Sequence, residues 1–304
     1  MKQLCTLSDK NYLLQGIALY FSLLKFSKDT FELHYLCLDE ESYKILTYNN
    51  FPNLKPVLID DVLKEKEDLR KHKERCQPEL GGGNNNEFCW SLASYFSDYL
   101  LNKGLDSILY IDSDIAFYRD IQLVYDEIGD KSIGIIRHRH LVEESVDGLF
   151  NVGIVYFKGD ETGKKCLHWW KDAVMHKRYP EMATCGDQKY LEGFFGRFGE
   201  ENIQIIDKEI GHGAPWQYRF YVWDLLLKTG DIVWGRKKQP FVFNHFSRFK
   251  YDLEQNNYDY TSGNYADHTF NFNLFMIPQL QVLYQNYFET LKQMHEQYVK
   301  PVKL

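Results

Sequence analysis

Apolar residues along this chain alternate between two rhythms. Short apolar-rich runs at residues 4–7, 31–38, 57–59, 108–111, 132–136, 150–157, 203–206 and 241–243 read as buried strands. Between them the apolar positions space out to helical intervals. Leu13, Ile17, Tyr20, Phe21 and Leu24 mark a helix over residues 11–26, with Ser8 placed to cap it. Further helices are predicted over 39–47, 87–101, 121–128, 163–176 and 187–195. The one at 87–101 would bury Trp90, Tyr95, Tyr99 and Leu100. This strand–helix alternation predicts an α/β fold whose sheet is mainly parallel, with right-handed crossovers.

The pattern changes twice. Residues 64–73 are heavily charged and read as a solvated helix or loop, followed by Gly81-Gly-Gly-Asn-Asn-Asn86, a loop signal. After residue 250 the chain turns rich in Tyr, Asn and Asp up to residue 273. A closing helix then follows over 279–298, with Leu280, Leu283, Tyr287, Leu291, Met294 and Tyr298 as its apolar stripe. The expected organisation is one domain over residues 1–250, followed by a loop and helix over 251–304.

Composition narrows the function classes. The 304 residues are 44% hydrophobic and 26% charged, ordinary for a globular chain with a large core. A net charge of −7 gives no global support to nucleic-acid binding. The cysteines, Cys5, Cys37, Cys76, Cys89, Cys166 and Cys185, contain no C-x-x-C pair and fit a reducing compartment. The N-terminus lacks the apolar core of a signal peptide, and the 12–26 stretch is too short and interrupted to span a bilayer. The expectation is a cytoplasmic protein without a transmembrane segment, able at most to associate peripherally with a membrane.

The candidate chemistry lies where one strand stops. Ser107-Ile-Leu-Tyr-Ile-Asp-Ser-Asp-Ile115 is an apolar run ending in two carboxylates, Asp112 and Asp114. In open α/β sheets, ligands bind beyond such strand ends. Two carboxylates there suit Mg²⁺ or Mn²⁺, which prefer oxygen ligands and leave positions open for phosphates. An isolated Asp-x-Asp arises by chance on the order of once in a chain this long, so its position carries the weight. His245, at the end of the 241–243 strand, is a structural histidine or a third ligand.

Together these segments resemble a GT-A fold glycosyltransferase related to family 8 of the nucleotide-diphospho-sugar transferases, in particular a bacterial-type subgroup. The matching segments are Glu87-Phe-Cys-Trp90, Tyr110-Ile-Asp-Ser-Asp114, Phe150-Asn-Val-Gly153, Gly186-Asp-Gln-Lys-Tyr-Leu191, Ala214-Pro-Trp216 and Asn244-His-Phe246. They cover residues 1–250 and leave the tail outside. The resemblance implies that Asp112, Asp114 and His245 hold Mn²⁺ or Mg²⁺ against the donor diphosphate. It places Thr6, Leu7 and Ser8 at the nucleotide-binding edge and Ser113 near the ribose. Tyr12 would stack on the base, the alternative being core packing. Asp187 and Gln188 would stand at the transferred sugar, with Asn151 and Gly153 facing the sugar or acceptor. Gly153 can instead simply permit a bulge. Ala214 to Trp216 would wall the acceptor pocket or pack in the core, and the His138-Arg-His140 cluster would touch the acceptor or lie in a solvated loop.

The implied activity is transfer of a sugar from a nucleotide-diphosphate sugar, UDP-linked by resemblance, to a glycan or other hydroxyl acceptor with retention of configuration. The family's phosphate-holding basic residue has no clear counterpart; Arg70, Lys73, Arg75, Arg248 and Lys250 all compete for it. Two other readings stay open: a non-catalytic nucleotide-sugar or glycan binder of the same fold, and a metal-dependent phosphohydrolase. The second fits less well, because the phosphatase Asp-x-Asp follows the first strand and continues into Thr, whereas here Ile115-Ala116 follows.

Overall fold

The computed structural model describes residues 1–76, 85–139, 148–183, 186–259 and 276–302. The glycine run at 81–83, His140, Cys185 and most of the 251–273 stretch lie outside the described residues. The strands in chain order are β1 (Lys2–Ser8), β2 (Phe31–Cys37), β3 (Leu54–Leu58), β4 (Ser107–Ile111), β5 (Ile115–Phe117) and β6 (Ile133–Arg137). They continue with β7 (Phe150–Lys158), β8 (Ile203–Ile205), β9 (Gly211–Gly213), β10 (Tyr221–Val222), β11 (Asp231–Trp234) and β12 (Lys237–His245). The contacts divide the chain into two compact units. The first comprises Met1–Lys10, Asp29–Asp112 and Ile128–Ile206; the second comprises Asn11–Lys28, Ser113–Glu127 and Asp207–Leu304.

The first unit carries a seven-stranded sheet in the order β3-β2-β1-β4-β7-β6-β8. Strands β1 to β4 are mutually parallel. Strand β7 runs antiparallel to both neighbours, and β8 is again parallel to β6. The sheet is therefore mixed and mainly parallel. Every residue of β7 except Lys158 is buried, as a strand covered on both faces must be. Cover comes from helices Asn85–Leu101 and Glu161–Met175, whose Trp170 is fully buried and stacks on Phe157 at 5.9 Å. Asp160 caps the latter helix by accepting from the Gly163 N–H at 2.8 Å.

The second unit is built around β12. It pairs antiparallel with β11 and β5 and parallel with β9, and buries Phe241 and Phe243. Helix Leu13–Phe26 is buried all round over residues 15–20, and its Ser22 hydroxyl accepts the Phe117 N–H at 3.0 Å. The closing helix Pro278–Met294 buries Leu280, Leu283, Tyr287, Leu291 and Met294, the stripe expected of it. Tyr298, beyond its end, stacks on Phe21 at 4.9 Å. Among the described residues no helix is long and apolar enough to cross a membrane.

Several local expectations are corrected. Ser8 ends β1 and shares a 2.6 Å hydrogen bond with the Tyr35 hydroxyl, while the first helix begins at Leu13 without a side-chain cap. The charged 64–73 stretch takes the helical of its two readings, in helices Ile59–Glu65 and Glu67–Arg75, the second of which buries Leu69 and His72. The helix expected from Glu87 starts at Asn85. The helix expected over 187–195 is a 3₁₀ turn, Lys189–Glu192, leading into helix Gly193–Phe198.

Candidate functional site

In the first unit, β4 ends at Ile111 and delivers Asp112. The Asp112 N–H donates to the Gly153 carbonyl at 2.9 Å, and the Tyr110 hydroxyl donates to Asp112 Oδ1 at 2.8 Å. Tyr110 was hidden inside an apolar run. Its sequence signal is a polar-tipped residue two positions before the carboxylate, hence on the same side of the strand.

The bulge that Gly153 promised is present. Ile135 faces Val155, but the next residue, Ile136, faces Asn151, so β7 bows out over the intervening residues. The bow is held from within, because Asn151 Oδ1 accepts the Gly153 N–H at 2.8 Å. Asn151 Nδ2 also donates to Gln188 Oε1 at 2.8 Å. Asn151, Gly153 and Gln188, expected near one substrate, are thus brought together.

Asp187 lies beside this network, only 8% exposed, with its backbone carbonyl accepting the Trp170 indole N–H at 3.0 Å. Burial, and then the negative charge of Asp112, raises its carboxyl well above the usual carboxylate range. Gly186 precedes it with φ +56°, and a Cβ there would stand 2.8 Å from the Trp90 ring. Trp90 is not in the core as expected: the residue is 45% exposed while its ring covers Gly186. Glycine is required here both for the left-handed backbone and for the close approach.

Thr6 and Ser8 sit at the C-terminal end of β1, which pairs with β4 through Cys5 and Tyr110. Thr6 is fully buried, and its hydroxyl has no hydrogen-bond partner among the described residues. Leu7, between them, is partly exposed. Three of the competing basic residues make local contacts in this unit. Arg70 donates to the Leu63 carbonyl at 3.4 Å, Lys73 lies over the Phe88 ring, and Arg75 meets His72.

In the second unit the β5–β12 ladder does the positioning. His245 pairs with Ile115, and the Phe246 N–H donates to the Asp114 carbonyl at 2.9 Å. This register sets His245 Nε2 3.0 Å from Asp114 Oδ1, with both side chains largely buried. The Trp216 ring meets the imidazole edge-on at 5.4 Å, so Trp216 walls His245, and Ala214 beside it is buried. Ser113 is buried as well. Tyr12 is 41% exposed, which removes core packing as its role.

Asp114 and His245, both in the second unit, bring a carboxylate oxygen and an imidazole nitrogen to 3.0 Å, and Asp112, which closes a segment of the first unit, stands two residues before Asp114 in the chain. Two carboxylate oxygens and an imidazole nitrogen form a donor set that suits Mn²⁺ or Mg²⁺. The residues present fit a divalent cation.

No known protein-family model matches the sequence. The chain is 30% identical over 261 residues to the uncharacterized protein YfnF of Bacillus subtilis (strain 168), covering 81% of each. It is 24% identical over 231 residues to YfnD of the same strain, covering 73% of this chain and 70% of YfnD. Among solved structures it resembles mouse xyloside xylosyltransferase 1, with TM-score 0.53 and 14% identity over 80% of this chain and 96% of that one. The galactosyltransferase LgtC, solved with donor and acceptor sugar analogs, gives 0.52 and 14% over 80% and 86%. The glycosyltransferase GlyE of Streptococcus pneumoniae TIGR4 gives 0.52 and 14% over 98% and 64%. The chain therefore has the GT-A glycosyltransferase fold and belongs to the family of the uncharacterized Bacillus subtilis protein YfnF.

Proposed function

We propose that the protein is a metal-dependent glycosyltransferase of the family 8 type. It moves a sugar from a nucleotide-diphosphate donor, UDP-linked, to a glycan or other hydroxyl acceptor with retention. The observation carrying this reading is the pairing of His245 with Asp114, two residues after Asp112, in a chain with the GT-A fold. A bound Mn²⁺ or Mg²⁺ would stabilise negative charge on the departing nucleoside diphosphate.

The chain's own residues divide the remaining work. Tyr110 holds Asp112 in orientation, and the β12 register holds His245 against Asp114. Thr6, Leu7 and Ser8 edge the nucleotide, and Ser113 and Tyr12 complete its binding at ribose and base. Asp187, with its raised carboxyl, acts as a hydrogen-bond partner for donor-sugar hydroxyls. Gln188, fixed by Asn151, stands near the reacting carbon. Asn151 and Gly153 shape the floor, and residues 1–250 form the transferase domain.

Incubation with Mn²⁺ and a panel of nucleotide sugars tests the reading. Metal-dependent release of nucleoside diphosphate is expected. Release of inorganic phosphate would favour the phosphohydrolase, and binding without turnover in the presence of acceptors would favour a binder. NMR assignment of the product anomer tests retention, and a β-product from an α-donor would end that part.

A further inference from the structure

Helix Asn85–Leu101 sorts its residues against the usual rule. Ser91, Ser94 and Ser97 are fully buried, each hydroxyl donating to a backbone carbonyl of the same helix, while Trp90 is left exposed. Transfer of an indole out of water is favourable, so a helix that buries serines and exposes its tryptophan breaks the local pattern. Such breaks are expected at functional sites. Among the described residues the indole stacks on no other ring and its N–H has no hydrogen-bond partner.

What the ring does touch is Gly186. A Cβ on that residue would stand 2.8, 2.9 and 3.2 Å from Trp90 Cε3, Cδ2 and Cγ. Asp187 and Gln188 follow directly in the chain. Consecutive Cα atoms are about 3.8 Å apart, so the backbone under the indole lies within about 8 Å of that of Gln188. That is the span of one sugar ring. Gln188 is itself fixed, its Oε1 accepting from Asn151 Nδ2 at 2.8 Å, so the distance from platform to reacting carbon is set by rigid parts.

We propose that Trp90 is the platform on which the acceptor stacks, and that the acceptor is a carbohydrate. The C–H groups on one face of a pyranose carry partial positive charge and suit the electron-rich face of an indole, which a lone serine or a glycerol hydroxyl does not offer. One hydroxyl of the stacked ring then reaches the reacting carbon. Its oxygen bonds the anomeric carbon, the bond to the donor diphosphate breaks with its electron pair, and the hydroxyl proton leaves with the nucleoside diphosphate. This rests on the transferase reading above and narrows its acceptor from any hydroxyl compound to a sugar.

The test compares Trp90→Phe, which keeps an aromatic face, with Trp90→Leu, which keeps apolar bulk over Gly186 without one. Saturation-transfer NMR of the full-length protein with Mg²⁺ and UDP measures binding of methyl α- and β-hexopyranosides, with glycerol as the acceptor lacking a ring, alongside thermal unfolding of each variant. The ring C–H protons of at least one glycoside are expected to be saturated by the wild-type protein and by Trp90→Phe. Affinity should fall about tenfold in Trp90→Leu at unchanged unfolding temperature. Wild-type affinity in Trp90→Leu, or glycosides binding no better than glycerol, overturns the proposal. Failure of the transferase reading looks different, since the wild-type protein then releases no nucleoside diphosphate from any donor.

Discussion

The two acids of the Asp112-Ser113-Asp114 run are held by different means. Asp112 belongs to a unit where the functional polar groups bind one another: Tyr110 to Asp112, Asn151 to Gln188, and Asn151 to the Gly153 amide. Asp114 belongs to a unit where rings do the holding. Its side chain meets His245, whose ring Trp216 meets edge-on, and Phe246, the next residue, stacks on Tyr287. The first arrangement stores orientation in directed hydrogen bonds, and the second in strand register and aromatic packing. A hydrogen-bonded network fails locally when one member is deleted. A packed pair tolerates changes in its walls but not in the pair itself.

The sharpest way to break this contrast is Asp114→Asn, expected to lower metal-dependent turnover at least about a hundredfold while the fold persists. Calorimetry with Mn²⁺ and a thermal melt check both halves of that statement. His245→Ala should weaken metal binding less completely, because two carboxylates remain. Unchanged donor affinity and turnover in Asp114→Asn would remove the metal site altogether.

Gly186→Ala probes the first unit. The new methyl would stand 2.8 Å from the Trp90 ring on a residue with φ +56°. Destabilisation of about 1–3 kcal/mol is expected in urea unfolding, with reduced turnover as Asp187 shifts. Asn151→Ala should cost about 1–2 kcal/mol, since Gln188 and the Gly153 amide each lose a partner. If Asn151→Ala leaves activity intact, the network is structural and the contrast between the two acids loses its functional meaning.

The smallest effect concerns pH. Burial, and then the nearby Arg75 charge, lowers His72 from its ordinary 6.5 to about 4. The unfolded chain therefore takes up this proton first. The stabilising contribution is fully present above about pH 6.5 and is lost as pH falls toward 4. Unfolding curves between those values should show the slope in the wild-type protein and a reduced slope in His72→Gln. His72 donates to or accepts from Ser91 at 3.0 Å in the first unit, so the slope should persist in Asp114→Asn.

Much of this was legible in the sequence, for identifiable reasons. Runs such as 108–111 and 150–157 stand out because a strand covered on both faces must be apolar throughout. Asp112 and Asp114 stand out because charge ends such a run abruptly. The direction of β7 was not legible, since an apolar strand carries no mark of parallel or antiparallel pairing. Trp90 was misplaced because helical periodicity cannot see that Gly186, far along the chain, comes to lie beneath its ring. His245 could be named but not placed, because its distance from Asp114 follows from a ladder between segments some 130 residues apart. Tyr287 read as one more apolar position of the closing helix; only the packed structure isolates its hydroxyl.

The pairing of His245 with Ile115 has a consequence for how this chain settles into its native state. Side chains alternate along a strand, so sliding β12 by one residue would turn the imidazole to the opposite face and present Asn244 or Phe246 to Asp114. A cation that prefers the Asp–His arrangement would then bind only correctly threaded molecules, and mass action would draw the population toward them. The metal would act as a proofreader of strand threading as well as a participant in chemistry.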